Sequence, residues 1–66
     1  MNSRSMLDAL GYGTDRRELE RFQRDYNRLP PKRLLPLTGR FDEATAQAIE
    51  LAYESRELFK LARDGV

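Results

Sequence analysis

Two aspartates punctuate this 66-residue chain. Asp15 stands three residues before Glu18, and Asp42 three residues before Thr45. Each is followed by apolar residues at helical spacing. An aspartate in that place caps a helix, because its carboxylate accepts from a backbone N–H of the first turn. After Asp15 the apolar set is Leu19, Phe22 and Tyr26, with Gln23 on the same side. Spacings of three, four and seven put them on one face of a helix. Leu29 extends the face, and Pro30–Pro31 ends it, since a residue before proline avoids the helical region. Thr14 is the alternative cap. A shift of 27 positions superposes Asp15, Phe22 and Tyr26 on Asp42, Ile49 and Tyr53, so two capped amphipathic helices enter one core in similar ways.

A shorter helix precedes them. Ser5 with Asp8 reads as its cap, Met6, Leu7, Ala9 and Leu10 supply its apolar surface, and Gly11 stops it. The third helix starts at Asp42, with the Thr45 hydroxyl expected to reach back to the cap, and nothing breaks it before Gly65. It is read as one run of about 22 residues, or about 33 Å at 1.5 Å per residue. Between helices two and three, Pro30, Pro31 and Pro36 stiffen a loop. At least two of Leu34, Leu35 and Leu37 are expected to fold back onto the core. Thr38–Gly39 reads as a turn. The fold expected is all-α: a small three-helix bundle with a Pro/Leu-rich loop and a long C-terminal helix. It forms a single domain with its core at about residues 5–54 and a helical extension at 55–64.

The chain contains neither cysteine nor histidine. Disulfides and thiolate metal sites are therefore excluded, as is the commonest general base. No paired-carboxylate cleft or glycine-rich phosphate loop is readable. A non-catalytic protein without metal or cofactor is expected. No apolar run is long enough to span a bilayer, and no signal segment is readable at the N-terminus. That leaves a place in the cell envelope, as part of an exported protein, or in the cytoplasm.

The sequence 35–45, LPLTGRFDEAT, resembles the peptidoglycan-binding-like domain family. So do Leu10-Gly11-Tyr12 and Phe22-Gln23 ahead of it, in the family's order and over about residues 6–54. The stretch between the first two helices is shorter than the family's, the loop before Leu35 carries an insert, and helix three is longer. The resemblance implies a three-helix fold and attachment of a larger protein or assembly to peptidoglycan or a similar cell-wall ligand. Tyr12, Arg40, Phe41 and Asp42 flank the turns entering helices two and three. They are the ligand-contact candidates of that reading. The plainer account makes Phe41 a staple and Asp42 a cap.

Two further surfaces stand out. Leu51, Ser55, Leu58 and Ala62 form a line on helix three, displaced from the core line Thr45, Ala48, Ile49 and Ala52. Leu51, Leu58, Phe59, Leu61 and Ala62 are therefore expected to contact a partner, either another protein or a second copy of this chain. This supports the alternative function of a docking or oligomerisation module that kept the fold without glycan binding. Arg17, Arg21, Arg24 and Arg28 form a line along helix two, opposite its apolar face. It is either an anion-binding face or a solvated face supported by pairs such as Glu20–Arg24. No aromatic side chain lies between these arginines, which argues against nucleic acid. The charge is segregated accordingly. Residues 16–40 carry eight positive and three negative side chains, a net of +5, and residues 41–66 carry three and six, a net of −3.

Overall fold

The computed structural model describes residues 2–28 and 35–65. Among them are four helices and no strand: α1 (Ser3–Ala9), α2 (Arg16–Asn27), α3 (Glu43–Glu54) and α4 (Arg56–Arg63). The expectations for Leu29, Pro30, Pro31 and Leu34 lie outside the described residues.

Local chemistry sets the helix starts. Asp15 Oδ1 accepts from the Glu18 N–H at 2.8 Å, and Asp42 Oδ1 from the Thr45 N–H at 2.8 Å. Both caps stand where the sequence places them. The first helix differs. Asn2, not Ser5, is its cap, and the Asn2 side-chain oxygen accepts from the Ser5 N–H at 2.8 Å, so α1 begins three residues before the expected first helical position. Gly11 follows the end of α1 with φ +93°, a left-handed conformation that costs glycine little.

The C-terminal segment is not one helix. Ser55, with φ −117° and ψ 42°, breaks it into α3 and α4. The break changes the direction of the chain enough for Phe59 to enter the core at 1% exposure. The core cluster comprises Leu7 and Leu10 of the first segment, Tyr12, Leu19 and Phe22, Ala48, Ile49 and Ala52 of α3, and Phe59. The expected boundary near residue 54 is therefore too early, because α4 packs as part of the core rather than extending beyond it. Phe22 is the hub of the aromatic packing. Its ring centroid lies 5.5 Å from Tyr12, 5.8 Å from Tyr26 and 5.8 Å from Phe59, within the range at which aromatic pairs add to plain area burial.

The loop preceding α3 lies along α2. Asn27 holds it at one end through two bonds: Nδ2 donates to the Leu35 carbonyl at 2.9 Å, and the Leu35 N–H donates to Oδ1 at 2.7 Å. Of the two described leucines in question, Leu35 packs on the core and Leu37 remains 49% exposed.

Candidate functional site

Gln23 is fully buried, and its amide organises the turn before α3. Its Nε2 donates to Thr45 Oγ1 at 2.9 Å and to Thr38 Oγ1 at 3.2 Å, while its Oε1 accepts from the Gly39 N–H at 3.0 Å. Left unpaired, such a group costs about 1–3 kcal/mol, so these bonds fix the turn against α2. Gly39 is required on two counts. Its φ is +66°, and a Cβ there would sit 2.5 Å from Arg16 Cγ and 2.9 Å from the Arg16 carbonyl oxygen. The Asp42 carboxylate is held below its usual range, first by the Thr45 N–H, then by the Thr45 hydroxyl, with a smaller contribution from Thr38. Motif residues 38, 39, 42 and 45 are thus occupied with one another and with Gln23.

Tyr12 was expected at the ligand edge, but it is 2% exposed and belongs to the core. Its hydroxyl donates to Asp25 Oδ2 at 2.6 Å. Burial, and then the bond to Asp25, push the phenol pKa up. Two guanidinium groups lie against its ring, Arg21 at 4.4 Å and Arg63 at 5.5 Å from the centroid. Phe41 is half-buried against the core, with the Arg4 guanidinium 5.3 Å from its ring centroid. Arg40 is exposed. Of the four ligand-contact candidates, then, Arg40 offers an unburied side chain, Asp42 caps α3, and the two aromatic rings are packed.

The five partner-contact residues divide in the same manner. Leu51 is 45%, Leu58 70% and Leu61 55% exposed, and Ala62 is exposed, whereas Phe59 is core. On α4, Leu58, Leu61 and Ala62 share one side, and Phe59 and Arg63 point the other way. Arg63 Nη1 donates to the Leu10 carbonyl at 2.6 Å, tying α4 to the end of α1. Arg56 bends back over the Tyr53 ring at 4.7 Å and donates to the Tyr53 carbonyl at 3.2 Å. Glu50, Glu54, Glu57 and Asp64, all exposed, flank the exposed leucines along the chain.

The arginine line also needs correction. Arg21 is drawn off it, pairing with Glu18 at 2.8 Å and donating to the Gly11 carbonyl at 3.1 Å. Arg17, Arg24 and Arg28 are exposed and form no ion pair among the described residues, so the anticipated Glu20–Arg24 pair is not formed. Sequence reasoning missed Arg63 and Asp25, the two groups that hold Tyr12 and α4 in place. Their partners lie 53 and 13 positions away, and no local pattern signals them. No helix among the described residues is long and apolar enough to cross a membrane. Comparison with protein-family models, with curated proteins and with solved structures found no match.

Proposed function

We propose that this chain is a non-catalytic protein–protein docking module of peptidoglycan-binding-like type, whose contact face is the outer side of α4. The carrying observation is the exposure of Leu58 and Leu61, 70% and 55%, on a helix whose opposite side is anchored by Phe59 and Arg63. Anchoring makes the apolar face a fixed surface rather than a frayed end. The type is supported by the assembly of the resemblance's separate pieces. Tyr12 packs on Phe22, and Gln23 bonds Thr38, Gly39 and Thr45.

The favoured occupant is a second copy of the chain. A two-fold axis midway between Leu58 and Leu61 pairs α4 antiparallel with its copy. Leu58 then meets Leu61 of the second copy, and Glu57 meets Ala62. Ala62 allows close approach. A contact made by one eight-residue helix is small beside the roughly 800 Å² per partner of a stable interface, so a weak association is expected.

The wall-ligand reading rests on the motif order and keeps Arg40 as its accessible residue. One experiment separates the two. Sedimentation equilibrium over a wide concentration range should show monomer and dimer, and Leu58→Asp should abolish the dimer with an unchanged far-UV spectrum. A chain that stays monomeric at every concentration overturns the docking proposal. If that monomer pellets with purified peptidoglycan and Arg40→Ala prevents it, the wall-ligand reading takes its place.

A further inference from the structure

The arginine face of α2 is separate from α4, and neither the docking contact nor the core uses it. Arg17, Arg24 and Arg28 fall at i, i+7 and i+11, within about 20° of one line at 100° per residue. The row is about 16 Å long at 1.5 Å rise per residue. All three side chains are exposed. Gly39 packs against Arg16, so the next residue, the exposed Arg40, stands near the N-terminal end of α2. The acids of α2 do not neutralise this face. Glu18 is bonded to Arg21 and to the Gly13 N–H, Asp25 to Tyr12, and Glu20 forms no ion pair with these arginines among the described residues.

The composition of the face decides what it fits. An ordinary protein interface needs an apolar centre, and this row has none. A membrane-surface helix needs apolar side chains to insert beside its cations, and on α2 these face the core: Leu19 and Phe22 are buried, and Tyr26 packs against them. A single strand is held by stacking on exposed aromatics, and the two α2 aromatics are Phe22 and Tyr26. A duplex needs none of these. Its phosphates alone supply non-specific affinity, its charge density is one per about 1.7 Å of axis, and guanidinium groups are suited to phosphate. The absence of aromatics that argues against single strands is therefore neutral for duplexes. We infer that the Arg17–Arg24–Arg28 row, continued by Arg40, is a sequence-independent contact surface for the phosphate backbone of double-stranded nucleic acid.

The test is fluorescence anisotropy of the 66-residue chain against a labelled DNA duplex of arbitrary sequence, across a series of salt concentrations. Four phosphate contacts predict a log–log salt slope of about −3.6. Arg24→Gln with Arg28→Gln should weaken binding at low salt and flatten the slope by about 1.8, half of that value. Both residues are exposed, and circular dichroism verifies the fold of the variant. Leu58→Asp should bind the duplex as the parent does, which keeps this result independent of the docking proposal. No binding at low salt overturns the inference, as does a slope that the double variant leaves unchanged. Equal or tighter binding to the matching single strand, to polyglutamate or to anionic phospholipid vesicles also overturns it, since each would assign the row to a different partner.

Discussion

At the scale of single residues, one buried amide does most to define the turn before α3. Gln23 has no spare donor: both amide hydrogens go to threonine hydroxyls, and its oxygen takes the Gly39 N–H. Gln23→Leu keeps the approximate volume but strands the Gly39 N–H against α2. The expected cost is about 1–3 kcal/mol, read from urea denaturation. A chain of this length holds only about 3–10 kcal/mol in total, so the change consumes a large part of its stability. Asp42 gives a second, pH-dependent prediction. Its carboxyl is depressed in the folded state by the Thr45 N–H and hydroxyl. The stability it contributes is therefore fully present above the unfolded carboxyl value and is lost as pH falls through the lower folded value. Asp42→Asn still caps the helix but does not titrate there. At neutral pH the parent should be the more stable of the two, and the difference should shrink on the acid side, where only the parent loses this contribution. The capping aspartates and Gly39 were legible in the sequence because their constraints are local: a cap needs an oxygen at one position, and a left-handed turn needs a missing Cβ. Tyr12 was not legible. Beside two glycines it looks like an exposed turn residue, and only the fold supplies Asp25 for its hydroxyl and Arg21 for its ring.

At the scale of elements, the break at Ser55 separates the expected architecture from the observed one. Nothing in the local sequence forbids a helix there, since serine is neutral for helix formation. The decision is made by burial. In an unbroken helix residues 51, 58 and 62 form one line, and Phe59, seven residues after Ala52, falls on the side of the core line and beyond its end. Breaking at Ser55 places Phe59 against Phe22 and Tyr12, at the expense of helical bonds at one turn. Fully burying a Phe side chain is worth about 1.5–3 kcal/mol, enough to offset the loss of one or two hydrogen bonds at roughly 1 kcal/mol net each. The exposed line of leucines was legible in part because amphipathic spacing survives on α4, with Phe59 removed from it. Arg63 fastens this helix. Arg63→Ala removes the bond to the Leu10 carbonyl and the cation above Tyr12. Amide exchange in α4 should accelerate at least several-fold while α2 and α3 keep their protection, because the lost contacts belong to one helix rather than to the shared core.

At the scale of the whole molecule, the surface has two characters. The outer side of α2 is basic, and the outer sides of α3 and α4 carry leucines among Glu50, Glu54 and Glu57. Under the two proposals the sides serve different contacts, the first phosphate and the second a copy of the chain, and one need not block the other. The proposed weak dimer would have a thermal signature. Because only the folded state presents α4 as a fixed face, mass action should raise the melting temperature with protein concentration, and Leu58→Asp should remove that dependence. Segregation of charge was visible in the sequence as a net +5 in residues 16–40 against −3 in residues 41–66. The sequence could not reveal which cations remain available. Arg21, Arg56 and Arg63 look equivalent to Arg24 along the chain, yet in the fold each is turned onto an aromatic ring.

The bond from Arg63 to the Leu10 carbonyl joins positions 53 residues apart. It also sets a mechanical order. A pull on residue 65, with α1 held, reaches α4 before any other helix. The Arg63 contact and the Phe59 seat yield first, while α2, the Gln23 turn and α3 still carry their own bonds. A tether fixed at that end would therefore lengthen in a small early step, before the rest of the domain gives way.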